Sequence, residues 1–438
     1  MPDPRLAQTA VPDPHLAETA VPDPYLAETV VARLAAWRVP RVFGIAGEPV
    51  AALVEALHSA GGEPEFVPVR HGESAAAMAI GHARLTGGIG VCLSPAGPAA
   101  FGLLAGLDAA RRATLPVLAI IGGVGGVDEV AGVGGVDEVS GVGGVDQMFA
   151  GLCRQVWHLD DLRRAPALVD AAVRGALAGH GPACLLLPGT SGRPPALAEV
   201  SAESVAVDPG GPSAGPQVGA GMVFVESTRP LAAPDAGTVF VDSVPPSVVP
   251  EVGAAAVFTE SGRRSAVAGV DIGLVVDELS ARVPPEAAVT VDGAPGLNRH
   301  VSRLPPGIAV LACDAHEVSG AALPYAVAVK LVDPQRPVLA LLTDDGMRSH
   351  GLSELVTIAR DWPHWPDPRL VVLVLNTRAG YPGRQVADDV PYAGWARLLG
   401  LHGVRVDRPE LVGPAWDEAL AADRPCLLDL IVTPHPSP

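Results

Sequence analysis

Three side chains in the first part of the sequence are of types that transfer protons. His71 and His82 could do so because imidazole titrates near neutrality, and Glu73 lies between them in the sequence. His82 falls inside a helix predicted over 73–86, where packing is the more frequent role of a histidine. Glu73 stands in the first turn of that helix, so it could take part in chemistry or only complement the helix dipole. The candidates for acid–base chemistry are therefore His71 and Glu73.

The composition excludes several classes of partner. A net charge of −18 opposes the phosphates of nucleic acids and the anionic surface of membranes. No stretch approaches the roughly 20 apolar residues that span a bilayer, and no secretory signal is visible. We therefore expect a cytoplasmic protein with no nucleic-acid and no membrane partner. The cysteines lack metal-ligand spacing and are predicted to be buried thiols: Cys92, Cys153, Cys184, Cys313 and Cys426.

Short apolar runs alternate with longer amphipathic ones, which is typical of parallel strands joined by crossover helices. In the first half, strands are predicted over 41–45, 65–69, 90–96, 116–122 and 183–189, with helices over 49–60, 73–86, 98–113 and 163–179. In the second half, strands are predicted over 287–293, 337–345, 370–376 and 426–432, with helices near 318–332, 351–361 and 411–421. The pattern predicts an α/β fold with two doubly wound parallel-sheet domains.

Repeats and a biased segment interrupt this pattern. Residues 2–30 restart every ten residues with Pro-Asp-Pro, which prevents a continuous helix. Residues 124–151 repeat a Gly-Gly unit with too little side-chain surface for a core. A segment rich in Pro, Gly, Ser and Val is predicted to be a reduced middle domain or a linker. The predicted organisation is a tail (1–30), a first domain (31–195) with an insertion (124–151), the middle segment (196–265) and a second domain (266–438).

Both predicted domains resemble one enzyme family, the thiamine-diphosphate enzymes of the acetolactate synthase and 2-oxo-acid decarboxylase type. Resemblance to the family's pyrimidine-binding domain lies in RVFGIAGEP, VPVRHGESAAAMAIGHARLTGG, SPAGPAA and PVLAIIGG. Resemblance to its diphosphate-binding domain lies in GAALPYAVAVKLVDPQRPVLALLTDDG and LVVLVLNTRAGYP. The motifs follow the family's order and cover most of the two predicted domains.

The resemblance implies a particular chemistry. In the family, a carboxyl group hydrogen-bonds the aminopyrimidine of thiamine diphosphate and favours the tautomer that deprotonates the thiazolium carbon. The carbanion attacks a 2-oxo acid, and carbon dioxide leaves because the thiazolium accepts the electrons. Mg²⁺ with hard oxygen ligands anchors the diphosphate. The two cofactor ends bind different subunits, which implies a homodimer or homotetramer acting on a small 2-oxo acid. FAD is not expected, because the domain that carries it in some relatives is reduced here.

The activating carboxylate does not align directly. Counting back from Gly81, the family's glutamate falls on Gly72, and Glu73 stands one place later. A one-residue adjustment at the strand-to-helix junction would bring Glu73 to the cofactor, since loops absorb such shifts. His71 matches the family's Arg-His pair. The resemblance therefore assigns the catalytic roles to Glu73 and His71, and cofactor binding to Gly97, Pro98 and Gly346.

The metal motif is also altered. Asp344 replaces the first glycine of the family's Gly-Asp-Gly, while Asp345 matches its ligand. Thr377 stands at the second asparagine of the family's Asn-Asn, the usual ligand, and Asn376 at the first. A register shift could let Asn376 coordinate, or Asn376 could only cap a turn. The resemblance implies as metal ligands Asp345, Asn376 and Thr377.

Two hypotheses for function follow. The first is a thiamine-diphosphate-dependent lyase or carboligase acting on a small 2-oxo acid. The second is a catalytically inactive protein of the same fold that serves as a partner subunit or scaffold. Ser319 stands where the family commonly has a large apolar side chain under the cofactor. Four altered positions favour the second hypothesis more than any one would: Gly72, Ser319, Asp344 and Thr377. A nicotinamide oxidoreductase is disfavoured, because the Gly-Gly repeat opens no amphipathic helix.

Overall fold

A computed structural model describes residues 24–124, 148–159, 161–179, 181–188, 270–292, 295–313, 319–378 and 390–432. Residues 1–23, most of the Gly-Gly repeat and the whole predicted middle segment lie outside these ranges, and so do the predictions made for them. Among the helices of the described ranges, none is both long and apolar enough to cross a membrane.

The first half of the chain forms a parallel six-stranded sheet in the order β2-β1-β3-β4-β6-β5. Its central strands are apolar along their length because helices cover both faces. The strands are β1 (Arg41–Gly44), β2 (Glu65–Pro68), β3 (Gly90–Pro95), β4 (Val117–Val124), β5 (Gln155–His158) and β6 (Ala183–Pro188). The helices are α1 (Pro24–Ala36), α2 (Ala51–Ser59), α3 (Gly72–Thr86), α4 (Pro98–Phe101), α5 (Leu103–Arg112) and α6 (Ala165–Gly179).

The second half repeats the design with a parallel six-stranded sheet in the order β11-β12-β10-β9-β7-β8. The strands are β7 (Ala288–Val291), β8 (Ala309–Ala312), β9 (Val338–Thr343), β10 (Leu370–Asn376), β11 (His402–Val406) and β12 (Cys426–Ile431). The helices are α7 (Ile272–Ser280), α8 (Pro295–Val301), α9 (Ala322–Val332), α10 (Leu352–Asp361), α11 (Tyr392–Leu398) and α12 (Val412–Ala421). Between β9 and α10 lie a short α-helical turn, Asp344–Gly346, and a π-helical turn, Met347–Gly351.

The predicted fold class is confirmed, and all the predicted strands occur. The strands that the sequence did not predict are β5, β8 and β11, each at the edge of its sheet. An edge strand buries fewer side chains, so its apolar run is short; β5, for example, has no fully buried residue. Helix α1 begins at Pro24, inside the range predicted as a tail. Proline is tolerated in the first turn of a helix, so Pro24 starts this helix instead of preventing one.

Helix α3 connects the two halves of the molecule by close packing. It is rich in small residues, and its buried face lies against α9. A Cβ added at Gly81 would lie 3.1 Å from a Tyr325 ring carbon and 3.3 Å from the Ala328 Cβ. One buried cluster accordingly includes apolar residues of both sheets, from Phe43 in β1 to Leu342 in β9.

His82 lies in the same helix and is a packing residue, as its position predicted. Its side chain is buried, with its ring centroid 6.2 Å from that of Phe43. Burial, assisted by the charge of Arg41, lowers the pKa of His82 to about 4. The ring is therefore neutral at physiological pH.

Candidate active site

Two chain segments meet at the boundary between the two sheets, and we call the place where they meet the junction. One segment, 70–74, runs from the loop after β2 into α3; the other, 344–354, runs from the end of β9 into α10. His71 Nε2 lies 3.0 Å from Ser353 Oγ across this boundary. Both segments follow the carboxyl end of a parallel strand, the edge at which open α/β sheets bind ligands.

The π-helical turn brings His350 to the junction. Its ring centroid lies 5.7 Å from that of His71, with the ring planes inclined at 58°. Turns of this kind are frequent at functional sites because they displace side chains from regular helical positions. Burial lowers the pKa of His350, the charge of Glu73 raises it, and His71 lowers it. Since burial is the largest of these effects, we expect a neutral His350 at pH 7.

The position that aligns with the family's activating glutamate has no room for a side chain. A Cβ at Gly72 would lie 2.5 Å from the Ala99 carbonyl oxygen and 3.0 Å from Gly102 Cα. Glu73 is the carboxylate that this segment supplies instead. It is half-buried, its Oε2 lies beside Gly102, and its charge reaches His350. The role of Glu73 as activator stays a prediction, and the structure places its carboxylate at the junction.

The turn before α4 leaves open space next to its backbone. Gly97 has a φ of +87°, and a Cβ there would meet nothing within 4 Å. Pro98 is the first residue of α4, where its missing N–H removes no hydrogen bond. Such a backbone allows a ligand to approach closely. Contact of Gly97 and Pro98 with a cofactor stays a prediction.

The two adjacent aspartates point in different directions: Asp344 is buried and Asp345 is exposed. Thr377 Oγ1 donates to both carboxylate oxygens of Asp344, at 3.3 and 3.2 Å. The Arg348 guanidinium lies 3.7 Å from the same carboxylate and donates from Nε to Tyr392 Oη at 3.1 Å. Burial raises the pKa of Asp344, and the neighbouring charge of Asp345 adds to the effect. Protein groups therefore already surround Asp344.

Asn376 ends β10 and is fully buried. Its Nδ2 donates to Asp429 Oδ1 at 3.0 Å, and its Oδ1 accepts from the Arg378 backbone N–H at 3.0 Å. The second contact is an Asx turn, the turn-capping role of asparagine. Of the two interpretations open for Asn376, the geometry favours the cap over the metal ligand.

Gly346 packs against protein on its inner side. A Cβ there would collide with Asp292 Oδ2 and lie 3.0 Å from the backbone nitrogen of Gly320. Asp292 Oδ1 in turn accepts a hydrogen bond of 2.9 Å from that nitrogen. The close approach of the two backbones explains the glycine at position 346, while its contact with a cofactor stays a prediction. Ser319, next to Gly320, is exposed.

The available donors decide whether magnesium fits here. Mg²⁺ requires near-octahedral oxygen ligands, and of its predicted ligands only Asp345 presents an exposed carboxylate. Asn376 and Thr377 direct their side chains to Asp429 and Asp344. Within the described ranges, no group of three or more His, Cys, Asp or Glu side chains could hold a metal. Because Mg²⁺ is often held by one or two carboxylates together with phosphate and water, Asp345 could anchor it with the diphosphate, and the three ligand assignments stay predictions.

The pyrimidine end of a thiamine cofactor fits the junction better. The half-buried Glu73 supplies a carboxylate, and α4, which packs against the start of α3, is preceded by the open turn at Gly97. Aminopyrimidine recognition requires such a carboxyl group in a partly desolvated place. The chain thus retains donors for one end of the cofactor and has altered those for the other.

Three polar residues of the junction were not predicted: His350, Ser353 and Glu354. Glu354 is buried, and burial raises its pKa to about 6. Ser353 and Glu354 follow His350 by three and four residues, a spacing that places side chains on one helix face. This spacing could have indicated a polar helix face in the sequence. The π-helical turn was not foreseeable, because no local sequence pattern specifies it.

Comparison with known proteins agrees with this architecture. The N-terminal TPP binding domain of thiamine pyrophosphate enzymes matches residues 25–140, and the C-terminal TPP binding domain matches residues 296–430. The chain belongs to the thiamine pyrophosphate enzyme family. The resemblance inferred from the motifs is confirmed, and thiamine diphosphate is the cofactor for which domains of this family are built.

Several curated relatives share shorter segments with this family member. The YdaP protein of Bacillus subtilis, named as thiamine pyrophosphate-containing, is 36% identical over 155 residues, which is 35% of this chain and 25% of that protein. Pyruvate oxidase of Lactiplantibacillus plantarum is 41% identical over 96 residues, 22% of this chain and 16% of that protein. Acetolactate synthase isozyme 2 large subunit of Escherichia coli is 42% identical over 95 residues, 22% and 17% of the two chains. The matched segments thus span a quarter or less of these relatives.

A solved structure extends the likeness over nearly the whole chain. The thiamine diphosphate-dependent 4-hydroxybenzoylformate decarboxylase of Rhodococcus jostii RHA1 superimposes with a TM-score of 0.63 and 15% identity, covering 94% of this chain and 100% of that one. At this level of identity the likeness shows the fold alone. Substrate and activity have to be argued from the junction.

Proposed function

We propose that this chain binds thiamine diphosphate at the junction and acts as a lyase or carboligase on a small 2-oxo acid. The resemblance implied a site shared by two subunits, whereas at the junction the two halves of one chain meet. The observation that carries the proposal is the convergence of Glu73 with the segment after β9, which joins the pyrimidine-binding and diphosphate-binding halves. When bound, the cofactor supplies an electron sink for the bond to the departing carboxylate. The relatives named as pyruvate oxidase and acetolactate synthase support a 2-oxo acid as substrate.

The residues of the chain would divide the work as follows. Glu73 would hydrogen-bond the aminopyrimidine through its carboxyl group, as the family's glutamate does. His71 keeps its ring fixed through Ser353 and presents a second group able to move a proton. No step is assigned to magnesium, because its predicted protein ligands do not converge.

Calorimetric titration of the purified protein with thiamine diphosphate tests the proposal, with and without Mg²⁺. We expect micromolar binding that weakens in Glu73→Gln, which loses the ionisable carboxyl. Asp345→Ala tests whether the exposed carboxylate anchors a metal. If it does, the variant should bind thiamine diphosphate more weakly in the presence of Mg²⁺ and equally well in its absence. Asp423→Ala is the matched control. This exposed aspartate precedes the amino end of β12, whereas the junction follows the carboxyl ends of strands.

Activity is then measured as carbon dioxide release from pyruvate, a small 2-oxo acid. Release that requires thiamine diphosphate and falls in Glu73→Gln supports the proposed enzyme. Absence of cofactor binding under both metal conditions would refute it.

A second function is favoured by one specific observation: the backbone contacts of Gly72 and the enclosed Asp344 change both ends of the cofactor site. On this hypothesis the chain is an inactive subunit that pairs with another protein of the same fold. For the enzyme proposed above, in contrast, we propose a homodimer or homotetramer. Size-exclusion chromatography with light scattering measures the quaternary structure and so helps to distinguish the two hypotheses. A monomer that binds no cofactor would favour the inactive subunit.

A further inference from the structure

Polar atoms without a protein hydrogen-bond partner gather behind the junction. Among the described residues, they are both carboxylate oxygens of Glu354, Ser74 Oγ and His350 Nδ1. Ser74 lies on α3 and Glu354 on α10. They are near each other across the boundary between the two halves, because the Ser74 hydroxyl affects the pKa of Glu354. His350 precedes Glu354 by four residues in the same helical run. Buried polar atoms are nearly always satisfied by protein or by ordered water.

Glu354 is the costly member of this group. Burial raises its pKa to about 6, while the Ser74 and Thr357 hydroxyls lower it from distances beyond a normal hydrogen bond. Arg70 and Arg360 lower it more weakly through their charges. An enclosed carboxylate without a close cation is destabilised because it has lost its hydration.

Helix α9, described in full, brings no cation to the Glu354 carboxyl. Helix α9 also packs against α10, but its one charged side chain, Lys330, donates to the carbonyl oxygens of Asp367 and Pro334 instead. A buried carboxyl whose pKa is raised towards neutral pH, beside a candidate site, is typical of acid–base function.

Short links connect this group to the predicted catalytic residues. Ser74 directly follows Glu73, and Ser353 directly precedes Glu354. Ser353 Oγ in turn lies 3.0 Å from His71 Nε2. His350 completes the contact, because its ring lies beside His71 and responds to the charge of Glu73. The enclosed carboxyl and the junction histidines therefore belong to neighbouring residues of the same two segments.

We propose that Glu354 is a buried proton store for the junction, connected to His350 and His71 by ordered water held between Ser74 and the two carboxyl oxygens. Ordered water of this kind bridges two to four polar partners. The proposal rests on the proposed function for its purpose, since decarboxylation and carboligation both require protons to be delivered and removed. Glu354 is a positioning residue, because it acts through the junction histidines and touches no substrate.

The proton balance is simple. Protonated Glu354 releases its proton to the bridging water, which passes one to a neutral imidazole nitrogen of His350 or His71. The carboxylate takes the proton back when the histidine is deprotonated. No electrons move and no other reactant is required, so the exchange also occurs in the chain without cofactor.

Histidine NMR of the full chain without cofactor tests the exchange across the pH range on both sides of 6. We expect the His350 signal to titrate in two steps, its own and one that follows Glu354. The second step should disappear in Glu354→Gln, which keeps the shape but cannot ionise, and return at shifted pH in Glu354→Asp. His402 is the control, because it contacts Glu418 at 2.7 Å on an edge strand of the second sheet. A single step in wild type, or two unchanged steps in Glu354→Gln, would overturn the proposal.

Ser74→Ala supplies an independent variant. Because the Ser74 hydroxyl lowers the pKa of Glu354, its removal should move the second step to higher pH, and an unmoved step contradicts the link. In the loaded enzyme, Glu354→Gln should lower kcat about tenfold, less than the roughly hundredfold loss of a direct acid–base group, with KM unchanged and Asp restoring most of it. Failure of cofactor binding would refute the proposed function and leave the NMR titration as a separate result.

Discussion

Replacing Glu354 by Gln should stabilise the protein in a way that depends on pH. Glu354 is enclosed between α10 and α3, and burial raises its pKa from 4.5 to about 6. The folded protein therefore binds this proton more tightly than the unfolded chain does. By linkage, wild-type stability falls as the pH rises from about 4.5 through about 6, because only the folded state resists ionisation.

The magnitude follows from the two pKa values. A raise of about 1.5, at 1.36 kcal/mol for each pKa unit, corresponds to about 2 kcal/mol. Below the unfolded pKa of 4.5 both states are protonated, so Glu354→Gln should differ little from wild type. Above pH 6 the variant should be more stable by about 2 kcal/mol, since glutamine carries no charge into the enclosed position.

Urea denaturation at a series of pH values between these limits measures the difference in the free energy of unfolding. Glu55→Gln is the matched control, because Glu55 is exposed on α2 and should change stability by less than about 0.5 kcal/mol at every pH. A Glu354→Gln difference that stays constant with pH, or that favours wild type at neutral pH, would show that the carboxyl is not desolvated. A variant that is more stable but has a lower kcat would fit a group retained for function at the expense of stability.

Three further changes have defined outcomes. His82→Phe should remove an acid sensitivity of about 3 kcal/mol, because a folded pKa of about 4 against 6.5 unfolded makes wild type lose stability as the pH falls between those values; equal slopes in urea denaturation would contradict this. Gly72→Ala should lower the free energy of unfolding by about 1–3 kcal/mol through overpacking against Ala99, and an unchanged Tm would disprove that contact. Asp344→Gly should strengthen thiamine diphosphate binding in Mg²⁺ about tenfold, by removing one negative charge near the diphosphate; equal or weaker binding in calorimetry would argue that Asp344 faces away from the cofactor.

The sequence predicted the architecture because buried parallel strands leave a strong local signal. Runs such as 370–376 are apolar throughout, and turn residues bound them. Edge strands such as β11 carry polar residues on their exposed positions, including Arg405, so their pattern merges with that of loops. Right-handed crossovers between successive parallel strands then restrict the possible strand orders.

The candidate site was only partly predictable. The motifs identified Glu73 and Asp345, but they gave no sign that Thr377 would bond Asp344 or that Asn376 would bond Asp429. Those contacts depend on side-chain directions at two strand ends, which are set by packing. The role of the π-helical turn was equally hidden, because the position of His350 depends on the tertiary contact with His71.

Each half has a buried apolar cluster of its own, but a further cluster is built from residues of both sheets. A fragment ending at residue 193 would leave the small-residue face of α3 in water, and the complementary fragment would do the same for α9. We therefore expect such fragments to be soluble only when produced together. In the intact chain, heating should melt both sheets in one calorimetric peak.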